Sequence, residues 1–381
     1  MRRVLTILTA AALAVASLGV GLLTADLPFW RRASQLPLAQ DELYLPVAVI
    51  GAGQPPGAQA RPSADAPASE VLEFAAKRAR DGGSRALLVM RGDDLLLSRY
   101  FGVDDERTLM PAALISRPMA AMAIGLALAD GRIATLDTPV SRYLKEWEDE
   151  ARGRITLRQL LEETSGLENG GDVDHLLHRS PWGDLRALPE FATAKGVRML
   201  LGNDFASSAL RFQLRHEPGG FYGTSPANVQ LAAVILERAT HSQYEKYLDE
   251  RLWRAVGGGP AELTLDRRAG MPAAHCCWRA AAPDMLHILG LLATDGTHRG
   301  QRVLPEGWVQ EMARPSRVNA ESGLLVLRAN AGGWLSMSGG ADGSAFWVIP
   351  QLGLTIVNIV TAEGSTPPEL AALLMRVYGP T

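Results

Sequence analysis

Acyl transfer by a serine needs a base beside the hydroxyl, and a lysine three residues later on a helix supplies one. No serine stands three residues before any lysine of this chain, the lysines being Lys77, Lys145, Lys195 and Lys246. Ser116 is the nearest hydroxyl candidate, but it precedes Arg117 and Pro118, a context typical of a residue that caps a helix. We therefore predict that Ser116 is a helix cap, with a displaced nucleophile as the alternative.

Two further groups of residues resemble chemical sites. The stretch from Gly223 to Ala227 is one residue away from a Gly-x-Ser-x-Gly elbow, but the hydrophobic strand that such an elbow requires does not precede it. A second group combines metal-type ligands without a visible further ligand, and its members are Asp172, Asp174, His175 and His178. His275 stands beside two cysteines, but neighbouring side chains diverge. The sequence thus predicts no metal site and no cofactor.

Several stretches around Leu114 follow one another in a family-like order. An apolar helical segment runs from Leu114 to a stop at Gly131, and it is followed by Leu136-Asp137-Thr138-Pro139-Val140 and Thr164-Ser165-Gly166-Leu167. This order resembles the serine β-lactamase and penicillin-binding-protein superfamily, specifically the class C-related branch with 6-aminohexanoate-dimer hydrolases, esterases and D,D-peptidases. The resemblance covers about residues 85 to 378, and the stretches 155–161 and 300–309 are specific matches within it.

The resemblance implies a serine nucleophile at Leu114 and a lysine base at Arg117. A leucine has no lone pair with which to attack a carbonyl. An arginine has no acceptor and stays protonated in proteins, so it cannot act as a general base. The first catalytic motif of the family is therefore replaced at both of its chemical positions.

The other two family motifs are also altered. Counting back from Glu237 places Thr224 at the position of the tyrosine in the second motif. Tyr222, two residues earlier, is a candidate for the pocket, although we favour the interpretation that it packs within the loop. The third motif, Lys-Thr-Gly or His-x-Gly, corresponds to the stretch 334–350, where residues 334–344 contain no lysine or histidine. Its nearest remnant includes Ser338 and Gly340.

The combined loss predicts a catalytically inactive homologue that acts as a binding or regulatory module. Its ligand would be a small molecule, a peptide or a muropeptide-like compound. The alternative is a divergent serine hydrolase of esterase, amidase or D,D-peptidase type that uses Ser116. If Leu114 and Arg117 still line the pocket, Arg117 offers a positive charge to an anionic ligand, unless it pairs with a neighbouring acid.

The arrangement of elements predicts an α+β fold. Strand patterns occur near residue 85 and again after residue 324, with helical periods between them, so distant parts of the chain should share one antiparallel sheet. The resemblance implies the β-lactamase/transpeptidase-like version, with terminal helices and a mainly helical insertion.

Composition and the N-terminus bear on location. A net charge of -3 and a pI near 6.2 give no electrostatic footprint for nucleic acid. Arg2 and Arg3 precede an uncharged stretch at residues 4–25, which is long enough for a membrane anchor and ends in a sequence that a signal peptidase could cleave. We predict an exported, periplasmic protein with a signal peptide or anchor at 1–32, a linker at 33–70 and the hydrolase-like domain at 71–381.

The two cysteines, Cys276 and Cys277, are adjacent. A vicinal disulfide is one interpretation, and two small buried thiols are the favoured one.

Overall fold

Strands from both ends of the chain meet in one antiparallel sheet. The computed structural model describes residues 27–35, 45–54, 69–171, 176, 188–329, 334–339, 343–361, 364–367, 370 and 372–373. The first sheet contains β2 (Ser84–Arg91), β3 (Asp94–Tyr100), β9 (Leu327–Ala329), β10 (Trp334–Gly339), β11 (Ser344–Ile349) and β12 (Leu354–Val360). Its order is β3-β2-β12-β11-β10-β9, so β12 joins the N-terminal hairpin to the C-terminal strands. Every residue of β12 is buried, as expected for a central strand. The α+β prediction is confirmed.

A second sheet has the order β1-β5-β6-β4. Its strands are β1 (Val47–Ile50), β4 (Leu109–Pro111), β5 (Ala261–Thr264) and β6 (Trp278–Ala281). β1 lies inside the range predicted as a linker and pairs with β5 from Val47 opposite Thr264 to Ile50 opposite Ala261. The proline-rich residues 55–68 lie outside the described residues, so the sequence interpretation of that stretch remains a prediction.

The core helix of the molecule is α3 (Ala113–Ala129), which follows β4 directly. Residues on all sides of it are buried, because it packs between the two sheets and the other helices. Gly125 gives Trp308 room, since a Cβ there would lie 2.3 Å from the indole ring. The predicted stop is confirmed: the helix ends at Ala129, and Gly131 has the left-handed φ of 67°.

The remaining helices form the insertion and the layers around it. Their bounds are α2 (Ser69–Asp81), α4 (Leu157–Leu161), α5 (Leu188–Thr193), α6 (Lys195–Leu201), α7 (Phe205–Leu210), α8 (Pro226–Thr240), α9 (Tyr244–Leu248), α10 (Ala282–Ala293) and α11 (Trp308–Met312). A short hairpin joins β7 (Thr297–His298) and β8 (Gln301–Arg302). Thr156 and Gln159 form a capping box that fixes the start of α4, the helix that leads into the turn at Thr164.

The first helix of the described residues is α1 (Leu27–Ala33). Phe29 is fully buried in a small cluster with Phe191, Val197 and Leu201, so α1 is folded onto the body although it overlaps the range predicted as signal or anchor. Within the described ranges no helix is both long enough and apolar enough to cross a bilayer, and residues 4–25 lie outside those ranges.

Candidate functional site

The start of α3 is fixed by the second sheet. The backbone amide of Ala112 donates to the carbonyl of Trp278 in β6 at 2.8 Å, and the helix begins at the next residue. The helix cap is Ala112, which makes no side-chain capping bond. The prediction that Ser116 caps the helix is therefore wrong. The pairing of β4 with β6 ends at Ala112, so the helix starts three residues before Ser116.

Ser116 lies inside the first turns of α3 and is fully buried. Its hydroxyl donates to the carbonyl of Ala113 at 2.7 Å, a local bond that serine commonly makes inside helices. A nucleophile must present its oxygen to a carbonyl in the cleft. The buried, bonded hydroxyl of Ser116 does not do so in this conformation.

Leu114 stands at the position where the family resemblance implies the nucleophile. Its side chain is only 1% exposed and belongs to the main hydrophobic core. The first turn of α3 thus supplies apolar packing and no nucleophilic group at this position.

Arg117, one turn after Leu114, forms an ion pair with Glu163. The side chains are 19% and 5% exposed, so both charges are largely removed from water. The alternative prediction, that Arg117 pairs with a neighbouring acid, is confirmed, so the positive charge that was predicted to serve an anionic ligand is paired within the protein. Sequence reasoning missed Glu163, although the residue directly precedes the Thr164-Ser165-Gly166 turn that carries the family resemblance.

Glu163 sits on a constrained turn. Its φ is 57°, a left-handed conformation that is uncommon for a residue with a Cβ. The turn is bonded to the loop that carries the second motif, since the amide of Gly223 donates to the Glu163 carbonyl at 2.9 Å and the amide of Gly219 donates to the Thr164 carbonyl at 2.7 Å. These bonds hold the loop at 219–224 beside the start of α3.

Tyr222 and Thr224 occupy that loop differently. Tyr222 is half-buried, whereas Thr224 is exposed. Burial raises the pKa of the Tyr222 phenol above its usual value, the charge of Glu163 raises it further, and Arg117 opposes the rise. Tyr222 therefore lies within electrostatic reach of the ion pair and stays protonated at neutral pH, which makes it a hydrogen-bond donor and not a base.

His275 is also influenced by the charge of Arg117. Burial lowers its pKa to about 4, and the positive charge of Arg117 lowers it further, so the ring is neutral at pH 7. Its Nδ1 lies 3.1 Å from Oε1 of the buried Gln230 in α8. We call Arg117, Glu163, Tyr222 and His275 the Arg117 cluster.

The residues after His275 are joined covalently. Cys276 and Cys277 form a vicinal disulfide, with their Cα atoms 3.7 Å apart. The favoured sequence interpretation, two buried free thiols, is wrong: the chain turns sharply at Cys277, whose φ of 66° belongs to the left-handed region.

The third motif is only partly within the described residues. Ser338 lies in β10 opposite Ala345 of β11, and α3 packs against β10. Gly340 lies outside the described residues. The same is true of Asp172, Asp174, His175 and His178, and the described part of the chain contains no group of three potential metal-binding side chains.

Comparisons with known proteins agree with this architecture. A family model described as Beta-lactamase matches residues 70–378. A structure assigned to a 6-aminohexanoate-dimer hydrolase of Bacillus anthracis superposes with a TM-score of 0.68 at 18% identity, covering 92% of both chains. The penicillin-binding protein of Bacillus halodurans gives 0.59 at 17% identity, with 81% of this chain and 99% of that chain covered.

Two further comparisons involve one solved structure and one curated sequence. EstCE1, a hydrolase with promiscuous acyltransferase activity, gives a TM-score of 0.59 at 17% identity over 82% of this chain and 98% of its own. Protein flp of Staphylococcus aureus is 23% identical over 189 residues, which are 47% of this chain and 34% of that protein. The match thus spans about a third of the length of these curated relatives. At these identities the structural likenesses show the β-lactamase/transpeptidase-like fold.

Proposed function

Because this chain belongs to the beta-lactamase family of serine hydrolase-like proteins, we propose that it is a catalytically inactive member that binds a ligand without turning it over. The observation that carries the proposal is the pair of groups at the start of α3. Leu114 offers no nucleophile, and Arg117 is held by Glu163 where a base would be needed. Removing both groups from a serine hydrolase leaves only binding and oxyanion effects.

The Arg117 cluster favours one kind of ligand. Glu163 neutralises Arg117, so the cluster offers less attraction to a carboxylate than an unpaired arginine would. Oε1 of Glu163 is buried and has no hydrogen-bond partner among the described residues. A buried carboxylate oxygen is stabilised by a donor, and a ligand amide N–H or ammonium group would supply one once the side chains that cover this oxygen move aside. This supports a peptide or muropeptide-like ligand over a purely anionic one.

Binding without turnover is the property to measure. Calorimetry with a muropeptide-derived peptide should give a saturable binding isotherm, and mass spectrometry should recover the peptide unchanged. Glu163→Gln should weaken the affinity about tenfold, since hydrogen bonds to charged groups contribute about 1.5–3 kcal/mol. Glu306→Gln, at an exposed carboxylate, is the matched control and should bind like the wild type. Equal affinity of both variants would remove Glu163 from the ligand site.

A divergent hydrolase that uses Ser116 is the second candidate. The burial of Ser116 and its bond to Ala113 argue against it. Cleavage of the peptide in the same experiment, abolished by Ser116→Ala, would establish this candidate instead.

We also propose that the protein is exported and held at the membrane by its N-terminal segment. The support is the order of Arg2 and Arg3 before the uncharged residues 4–25, which favours an anchor with its arginines inside. A periplasmic location would place the domain where muropeptides occur.

A further inference from the structure

The Cys276–Cys277 disulfide has a place in the fold that the binding proposal does not use. Both residues are half-buried and neither belongs to the buried core. Cys277 adopts a φ of 66°, a conformation that disfavours any side chain. Opening the bond removes one constraint on the backbone at Cys277, which would then be able to relax toward a conformation that side chains prefer.

The chain on the N-terminal side of the disulfide is held by buried hydrogen bonds, several of which are made by one side chain, Gln230. Gln230 donates to the carbonyl of Pro272 at 3.0 Å and accepts from the amide of Ala274 at 2.9 Å, in addition to its contact with His275. Any change of backbone conformation at the two cysteines therefore cannot be absorbed upstream without breaking buried hydrogen bonds, which is costly. On the downstream side Cys277 is followed directly by Trp278, the first residue of β6, so a change at Cys277 also acts on this strand.

The downstream side leads to the start of α3. The carbonyl of Cys277 accepts a hydrogen bond from the hydroxyl of Thr264 at 2.6 Å. The carbonyl of the next residue, Trp278, accepts one from the backbone amide of Ala112 at 2.8 Å. Ala112 caps the helix that carries Leu114 and Arg117. The bond that fixes this helix start is thus made by the residue directly after the disulfide.

We propose that Cys276 and Cys277 form a redox-active site whose reduction by a dithiol loosens the β6 contact that holds the start of α3. The inference concerns regulation of the candidate site but does not depend on which ligand that site binds. Loosening the Trp278–Ala112 contact would change the geometry of the Arg117 cluster, because His275 and Arg117 lie on the two segments that this contact joins.

The chemistry is thiol–disulfide exchange. A thiolate of the dithiol attacks one cysteine sulfur, a mixed disulfide forms, and the other cysteine leaves as a thiolate. The second thiol of the reductant then displaces the first cysteine. The protein gains two electrons and two protons and ends with two thiols, while the dithiol becomes a disulfide.

The test exposes the folded protein to reduced dithiothreitol, traps thiols with iodoacetamide and follows hydrogen exchange of residues 109–117. Circular dichroism verifies that the protein stays folded. Two alkylated cysteines together with about tenfold faster exchange at Ala112 are expected, because that amide then opens locally. The amides of the β2–β12 pairing are the internal control and should not change.

Two double variants separate the bond from the backbone conformation. In the variant Cys276→Ser with Cys277→Ser, the amide of Ala112 should exchange as fast as in the reduced wild-type protein, and adding dithiothreitol should not change that rate. Cys276→Ser with Cys277→Gly should exchange within about twofold of the oxidised protein, because glycine adopts the left-handed region freely. A disulfide that is reduced only after global unfolding, or that is reduced without faster exchange at Ala112, would overturn the proposal.

Discussion

Arg117 in α3 is bound to Glu163 in the turn after α4, and the pair lies where the family resemblance implies a catalytic lysine. The two residues come from separate elements, so their contact ties the helix start to the loop that carries Tyr222. The pair converts a position that would have held a base into a structural contact.

The first prediction concerns the stability that depends on this pair. Glu163→Ala leaves the largely buried guanidinium of Arg117 unpaired, and breaking a buried pair on one side costs about 3–5 kcal/mol. Since Arg117 is 19% exposed, we expect the lower part of that range in urea unfolding. Glu73→Ala is the control, because the Arg99–Glu73 pair is 41% and 57% exposed and should contribute less than about 1 kcal/mol. Equal losses in the two variants would contradict a structural role for Glu163.

The second prediction concerns pH. Burial lowers the pKa of His287 to about 4, nearby His298 and Arg299 lower it further, and Asp93 opposes them. An unfolded histidine titrates near pH 6.5, so as the pH falls from about 6.5 to 4 the unfolded state binds a proton that the native state does not. The native state should therefore lose stability over this window.

The measurement is the urea midpoint of His287→Phe between pH 7 and pH 4. We expect the pH-dependent loss of stability to shrink by up to about 3 kcal/mol, the linkage energy of a shift of this size. His241→Asn, at an exposed position, should keep the wild-type dependence. An unchanged pH dependence in His287→Phe would show that His287 is accessible to protons in the folded protein.

The third prediction concerns the geometry around residues 114, 117 and 224. The triple variant Leu114→Ser, Arg117→Lys and Thr224→Tyr restores the family groups. We expect slow hydrolysis of nitrophenyl esters, because the smaller serine leaves space beside the buried position 114 while the start of α3 and the 219–224 loop remain bonded in place. The double variant that keeps Leu114 is the control and should show no gain, since it lacks a nucleophile. A folded triple variant without activity would show that the cleft no longer admits a substrate.

The fourth prediction concerns location. The full chain should fractionate with the membrane, and Leu13→Arg should reduce this, because a central arginine opposes insertion by about 2.5–3.5 kcal/mol. A soluble periplasmic form that begins after Ala25 would instead establish a cleaved signal peptide.

The sequence was sufficient to predict much of the fold. The apolar period and the Gly131 stop gave α3, and the strand patterns at both ends gave the antiparallel sheet, since local periodicity reports burial directly. β1 was not predicted, because four residues between polar and proline-rich segments become a strand only through pairing with β5.

The details of the site depended on contacts between distant residues. The Arg117–Glu163 pair and the clamp of Gln230 on the 272–275 chain arise from tertiary packing, which periodicity does not report. The sequence predicts Ser116 as a helix N-cap because a proline two residues later usually marks the start of a helix. The bond from Ala112 to Trp278 started the helix earlier and left Pro118 inside it.

Covalent labelling tests most directly whether the candidate site at the start of α3 lacks a working nucleophile. The purified protein is incubated with a fluorophosphonate and, separately, with a fluorescent penicillin, and its intact mass is measured. Leu114, Arg117 and the buried hydroxyl of Ser116 predict an unmodified mass in both cases. A stoichiometric adduct that maps to Ser116 would contradict the account and establish a divergent serine hydrolase.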